Sequence, residues 1–208
     1  MTLELYSAYV LATFIVLAIP GPTIMLVVSY ALAQGRRSAL ASVTGVALGD
    51  TTAATLSLIG LGALLATSAV LFTVLKWIGA AYLIWLGFKM WRAEPAPLET
   101  TAASSRDNRT ILLHAWIVTA LNPKGIAFFI AFLPHFIAPE APVTPQLVLM
   151  GVTFVALAIV NALVYAYLAA AVRTQVKRPS TMKLINRLGG GVLIGAGLMT
   201  AMVRRATA

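Results

Sequence analysis

The chain has 208 residues, of which 60% are hydrophobic and only 10% are charged, and its mean hydropathy is +0.92. So little charge, together with several apolar stretches of about 20 residues, is typical of a polytopic membrane protein and excludes a soluble globular domain. The net charge of +9 falls mainly in the polar links between those stretches, where it orients helices in a membrane rather than binding nucleic acid. The chain contains no cysteine, which excludes thiol redox chemistry, disulfides and thiolate metal sites.

Six apolar stretches follow one another, and each is long enough to cross a hydrocarbon core of about 30 Å. They cover residues 5–31, 39–66, 70–91, 111–134, 146–171 and 186–203. Because no basic segment precedes the first stretch, we expect it to be retained as a helix rather than removed as a signal peptide. The sequence therefore predicts an all-α fold of six transmembrane helices in a single membrane domain, residues 1–208.

Basic residues are concentrated in the odd-numbered links between the predicted helices. By the positive-inside rule these links face the cytoplasm, so both termini are predicted to face the outside. Arg204 and Arg205 near the C-terminus oppose this orientation but are outnumbered. The basic residues of the odd-numbered links are Arg36, Arg37, Lys89, Arg92, Arg106, Arg109, Arg173, Lys177, Arg178, Lys183 and Arg187.

The first apolar stretch is interrupted by Pro20-Gly21-Pro22, which is followed by Thr23. Proline inside a helix removes a backbone donor and clashes with the preceding turn. Within lipid, the freed backbone groups must be satisfied by protein or by a water-filled cavity. We therefore predict a first helix that is broken near the centre of the membrane, with the rest of the chain covering and using the break.

The fourth stretch contains Asn122-Pro123-Lys124, also near mid-membrane. Asn followed by Pro makes a good N-cap and first helical residue, so a new half-helix is predicted to begin there. A helix N-terminus attracts anions, so a cation at this position opposes the helix dipole and indicates a functional role. A second half-helix N-terminus is predicted at Gly21-Pro22, and the two N-termini together with Lys124 would suit a carboxylate. Alternatively, Lys124 is a buried structural partner of Asp50.

Asp50 is the only acidic residue inside a predicted helix, and it lies near the middle of the second one. A carboxylate at that depth costs about 3 kcal/mol on insertion scales and is usually functional. Gly45 and Gly49 form a small-residue face that lets a neighbouring helix approach closely. We interpret Asp50 as a group that exchanges protons or pairs with an ammonium, rather than as a structural acid. Asn161, in the fifth helix, either lines the same cavity or forms a hydrogen bond between helices.

Two segments of the chain, residues 76–87 and 186–197, align without a gap and indicate an internal repeat. Interrupted helices at corresponding positions of two halves are typical of inverted-repeat transporters. The predicted repeats are residues 5–91 and 111–203, joined by a cytoplasmic loop over residues 92–110. The glycines of the second segment serve either packing within the bundle or the interface of a homodimer. Gly79, Leu83, Ile84 and Gly87 match Gly189, Leu193, Ile194 and Gly197.

Several motifs occur in a characteristic order along the chain. They are Pro20-Gly21-Pro22, Gly35, the segments 45–50 and 75–87, Asn122-Pro123-Lys124, Phe128-Phe129 and Pro134-His135-Phe136. In this order they resemble the LysE/RhtB-type amino-acid exporters from end to end. The resemblance implies a small carrier of the bacterial inner membrane that exports amino acids such as homoserine, threonine, lysine or leucine, driven by the proton gradient. The chain departs from that family at Gly125, where alanine is common, and at His135, where glutamine is common.

The residues and the resemblance together predict a secondary transporter without a cofactor, whose partners are an amino acid, protons and the lipid bilayer. The alternative is a metal-cation exporter of a related superfamily branch, although one carboxylate without cysteine or mid-membrane histidine is a poor cation site. An intramembrane enzyme is disfavoured because the chain has one intramembrane aspartate and no HExxH motif. Asp50 is the predicted proton-coupling residue. The predicted substrate-binding residues are Pro20, Gly21, Pro22, Thr23, Asn122, Pro123, Lys124 and Asn161.

Overall fold

The computed structural model describes residues 1–67, 69–93, 107–138, 140–171 and 179–202. Its α-helices are α1 (Leu3–Ala18), α2 (Pro22–Gln34), α3 (Arg36–Thr67), α4 (Ala69–Arg92), α5 (Asn108–Ala120), α6 (Pro123–Ala127), α7 (Val143–Ala171) and α8 (Pro179–Met202). Residues 94–106 of the predicted loop lie outside the described residues. So do six of the basic residues considered for orientation, namely Arg106, Arg173, Lys177, Arg178, Arg204 and Arg205.

Three segments of the described chain are helical, long and apolar enough to cross a membrane, namely Arg36–Ala63, Asn108–Phe136 and Val143–Ala169. The pair α1 and α2 qualifies as a fourth span if it is counted as one helix with a bend. Large apolar side chains such as Leu56 and Val152 are 67% and 65% exposed, as expected for helices that face lipid. The protein is therefore a multi-pass membrane protein, while the six-helix inverted repeat stays a prediction.

The predicted fourth helix changes its winding along its length. After α6, a π-helical turn covers Phe128–Phe132 and a 3₁₀ turn covers Leu133–Phe136. Pro134 cannot donate a hydrogen bond to the preceding turn, which explains why the helix tightens and ends there. Phe128 and Phe129 of the π-helical turn are buried and contact the ring of Phe154 on α7, and all three belong to the core cluster that includes residues of α1.

The helices α4 and α8 pack closely through glycines. In one contact a glycine of α4 meets an isoleucine of α8, and in a second contact a glycine of α8 meets an isoleucine of α4. A methyl group placed on Gly87 would lie 2.7 Å from Cγ1 of Ile194, and one on Gly197 would lie 2.6 Å from Cγ1 of Ile84. These contacts join residues that correspond in the aligned segments 76–87 and 186–197. Gly190 likewise lies against the backbone of Gly87. The glycine face of α8 is thus used for packing within the chain, the first of the two predicted alternatives.

The helix α3 approaches α5 at the two glycines that precede Asp50. A methyl group on Gly45 would overlap the carbonyl oxygen of Leu112, and one on Gly49 would lie 2.8 Å from that of Trp116. No side chain larger than hydrogen fits at these distances, so the predicted small-residue face is confirmed. The close approach positions Asp50 beside the end of α5, where the fourth predicted helix is interrupted.

Candidate functional site

The first helix break leaves backbone carbonyls at the end of α1 without their usual helical donors. α1 ends at Ala18, and α2 begins at Pro22 with Gly21 at its N-cap. Because Pro22 has no N–H group, the carbonyl of Ala18, four residues earlier, cannot be bonded within the helix, whereas the carbonyl of Val16, four residues before Pro20, accepts the N–H of Ile19 instead. Inside a membrane such groups must find other donors.

Three side chains from other helices supply those donors. The Nδ2 atom of Asn161, the hydroxyl of Tyr165 and the Nζ atom of Lys124 donate to three successive carbonyls at 3.0, 2.7 and 2.7 Å. The end of α1 is therefore capped by α6 and α7, and the amide of Asn161 forms the interhelical hydrogen bond that was one of its two predicted roles. The three acceptors are, in the same order, the carbonyls of Leu17, Ala18 and Ile19.

The second break is capped by one of its own residues and lies against the first break. α5 ends at Ala120 and α6 begins at Pro123, as the Asn-Pro pair predicts. The Oδ1 atom of Asn122 accepts a hydrogen bond from the backbone N–H of Lys124 at 3.1 Å. Its Nδ2 atom donates to Oγ1 of Thr23, in the first turn of α2, at 3.0 Å. One asparagine side chain thus joins the two half-helix N-termini.

A small cavity of about 40 Å³ lies where the two breaks meet. It has room for one or two water molecules. It is far below the roughly 300 Å³ at which small-molecule pockets usually begin. The described conformation therefore has too little room here for an amino acid. The polar residues that line this cavity are Thr23, Asp50, Asn122, Lys124 and Asn161.

The cavity brings the intramembrane acid, Asp50, close to a buried base, Lys124. Asp50 is half-buried and Lys124 is only 7% exposed, and both side chains line the cavity. The ammonium of Lys124 carries three N–H donors, of which the carbonyl of Ile19 uses one. The hydrogen bond of Lys124 to the broken end of α1 is a structural role in addition to the two that the sequence suggested, carboxylate binding and pairing with Asp50, which stay predictions.

Six of the nine predicted site residues line the cavity, and three do not. The cavity-lining ones are Gly21, Thr23, Asp50, Asn122, Lys124 and Asn161. The other three are the prolines Pro20, Pro22 and Pro123, which create the breaks and begin α2 and α6 rather than facing the cavity. Substrate binding and proton coupling by these residues stay predictions.

The sequence analysis assigned no site role to Tyr165 or to the two aromatic walls of the cavity, Phe128 and Phe154. Tyr165 follows Asn161 by four residues on α7, so both side chains lie on one face of that helix. That spacing could have identified Tyr165 as a second donor toward the first break. The aromatic walls have no comparable signal, because phenylalanines are common throughout membrane helices.

The sequence matches a known family over most of its length. The family described as LysE type translocator covers residues 14–203. No solved structure gives a significant match. The arrangement of the two breaks is therefore known for this chain only from the structure described above.

Individual relatives match almost the whole chain. A homoserine/homoserine lactone efflux protein of Salmonella typhimurium is 35% identical over 99% of this chain and 100% of the relative. An uncharacterized membrane protein of Vibrio cholerae is 35% identical over 98% of this chain and 100% of the relative. A leucine efflux protein of Enterobacter sp. (strain 638) is 29% identical over 90% of this chain and 89% of the relative. With matches that extend across nearly the entire sequence, the chain belongs to the LysE type translocator family.

Proposed function

We propose that the protein is a secondary transporter of the bacterial inner membrane that exports small amino acids or their derivatives in exchange for protons. The observation that carries this proposal is the cavity in which Asp50, Lys124 and the two half-helix N-termini meet. The names of the relatives, which include efflux of homoserine, homoserine lactone and leucine, support the same class of substrate. The reciprocal contacts of α4 and α8 support two inverted repeats, the architecture of many carriers.

The substrate carboxylate would bind between the start of α2 and the ammonium of Lys124. α2 begins at Pro22, and its N-cap residue Gly21 provides no side-chain cap, so the first backbone N–H groups of α2 can bind an anion. The start of α6 has fewer backbone N–H groups available for an anion, because Asn122 already accepts the N–H of Lys124. The N–H donors of Lys124 that do not bind Ile19 would contribute further charge-assisted hydrogen bonds.

The substrate ammonium would pair with Asp50 on the opposite wall of the cavity. A proton that reaches Asp50 from the outside neutralises the carboxylate, weakens this pair and releases the substrate. Loss of that proton to the cytoplasm then restores the charge that attracts the next ammonium. Since a proton and an ammonium compete for one carboxylate, proton entry and substrate export are coupled.

Transport also requires this cavity to widen, because a volume of about 40 Å³ does not hold an amino acid. The broken first helix is the natural place for such a movement. Its two halves are already bent by 54° and are joined by only the short segment Ile19–Gly21. A change in that bend would move Gly21 and Thr23, which line the cavity, relative to Asp50 on α3.

The first prediction tests the carboxylate. Purified Asp50→Asn protein in liposomes, with a pH gradient imposed, should lose the gradient-driven transport of labelled homoserine and leucine. It should also lose the proton movement that substrate addition induces. The loss is expected because an amide neither exchanges a proton nor pairs strongly with an ammonium. Monodisperse elution from size exclusion would show that the variant is folded.

The matched control is Glu140→Gln, which makes the same chemical change at an exposed residue in the link between the 3₁₀ turn and α7. This variant should behave like the unmodified protein in both measurements. Normal gradient-driven transport by Asp50→Asn would contradict the proposed coupling mechanism. A failure of the unmodified protein to transport any amino acid would contradict the proposed substrate class.

A further inference from the structure

Gly125 lies in the first turn of α6, directly after Lys124, and lines the central cavity. Glycine is less favourable than alanine in a helix, so a glycine in a helical turn usually has a backbone or packing reason. The backbone reason does not apply, because Gly35 is the residue with positive φ among those that the structure describes.

The packing reason does not apply to Gly125 either. A methyl group placed on Gly125 would meet no atom within 4 Å, in contrast to Gly45 and Gly49, which are pressed against α5. Gly60 and Gly195 are equally unobstructed, but both are exposed on the outer surface, whereas Gly125 is half-buried. Gly125 therefore combines open space beside its α-carbon with a position on the cavity wall.

The open space lies next to apolar walls. The rings of Phe128 and Phe154 line the same cavity as Gly125. Their centroids are 5.5 Å apart, so they form one continuous aromatic surface. Phe128 follows Gly125 by three residues and thus lies on the same side of the helix. The wall beside Gly125 thus contains phenyl rings, whereas Asp50 and the amino group of Lys124 provide polar groups elsewhere in the lining.

We propose that Gly125 is a specificity-determining residue, whose missing side chain leaves the space that receives the substrate side chain. This inference rests on the proposed export of amino acids. With the carboxylate held by Lys124 and α2, and the ammonium by Asp50, the third substituent of the substrate α-carbon extends toward Gly125 and the aromatic surface. The apolar lining fits an aliphatic or weakly polar side chain, as in leucine or homoserine, and disfavours a charged one such as that of lysine.

The test compares two substrates of different size in the same liposomes. Gly125→Ala and Gly125→Val should lower the transport of leucine relative to homoserine progressively. The ratio for Gly125→Val should fall by about 10-fold or more, because one methylene group in an apolar pocket discriminates by that factor. Gly60→Val and Gly195→Val make the same change in unobstructed positions outside the cavity and should leave the ratio unchanged. An unchanged ratio in Gly125→Val and Gly125→Ala would overturn the inference.

The absence of native cysteine allows a second, direct measurement. In Gly125→Cys the introduced thiol is the only one in the chain, and saturating homoserine or leucine should slow its reaction with a small water-soluble thiol reagent. Glu140→Cys, in an exposed link, should react at a rate that the substrate does not change. Reaction of Gly125→Cys at an unchanged rate, with a substrate that the unmodified protein transports, would overturn the inference while leaving the proposed function intact. A lack of transport by the unmodified protein would instead overturn the proposed function.

Discussion

The two interrupted helices repair their missing hydrogen bonds in different ways. The α1–α2 pair is bent by 54°, whereas Asn108–Phe136 continues as one span across its break. At the first break the replacement donors come from Lys124, Asn161 and Tyr165, which are distant in sequence. At the second break Asn122 caps its own half-helix. The difference indicates that a large bend is maintained by remote side chains, while a local cap is sufficient for a break across which the span continues.

The surroundings of α5 also favour a second break across which the span continues. α5 lies directly on α3, where Gly45 and Gly49 leave no room for even a methyl group. Such close contact between two backbones restrains the direction of α5 as it reaches Asn122. Substitutions at Gly49, Tyr165 and Asn122 separate the contributions of this contact, of the remote donors and of the local cap.

Gly49→Leu should have the largest effect, because the leucine side chain would collide with the backbone of α5. The carbonyl oxygen of Trp116 would lie only 2.8 Å from the first added carbon, and backbone cannot move aside as a flexible side chain can. We expect a loss of more than about 3 kcal/mol of stability, above the usual range for overpacked sites. The fraction of protein that elutes as a monodisperse peak after heating would measure this loss.

Gly62→Leu, on the same helix, is the matched control. A methyl group there would be 3.6 Å from Cδ1 of Leu147, an ordinary contact, and Gly62 borders an apolar groove of about 670 Å³ between α3 and α7. The leucine therefore has room, and we expect a change in stability of less than about 1 kcal/mol. Equal losses in the two variants would show that contact between α3 and α5 is not what restrains the second break.

Tyr165→Phe should have an intermediate effect on stability, because it removes one donor from the first break. The carbonyl of Ala18 would then have no replacement, since Pro22 has no N–H to offer. We expect a loss of about 1–2 kcal/mol, the cost of an unsatisfied buried polar group. Thermal unfolding followed by tryptophan fluorescence would measure it. The matched control is Tyr167→Phe, two residues further along α7. Because Tyr167 is 67% exposed, this change should affect the unfolding temperature very little.

Asn122→Ala should have the smallest of these effects, because the second break depends mainly on a local cap. Loss of an N-cap side chain typically costs about 1 kcal/mol. Asn122→Ser, which keeps a good capping residue, should recover most of the lost stability in the same unfolding measurement. If Asn122→Ala were more destabilising than Tyr165→Phe, the bond from Asn122 to Thr23 would have to contribute more than the cap, and the second break would be maintained by tertiary contacts like the first.

Several features of the site could be predicted from the sequence because they depend on neighbouring residues. Proline lacks a backbone donor wherever it occurs, so Pro20 and Pro22 alone predict the first break. Asparagine before Pro123 predicts the cap and the start of α6, and both are present. Gly45 and Gly49, four residues apart, predict the close approach of another helix.

Only the tertiary structure decided which groups satisfy the freed carbonyls and which helices surround Gly125. The donors that satisfy the end of α1 are separated from their acceptors by 105, 144 and 147 residues, and no local pattern encodes such pairs. The same holds for Gly125, because only the packing of α1, α3 and α7 around α6 shows that its open side belongs to the cavity. Backbone chemistry is local and can be read along the chain, whereas the partner of a freed carbonyl depends on which helices the fold brings together.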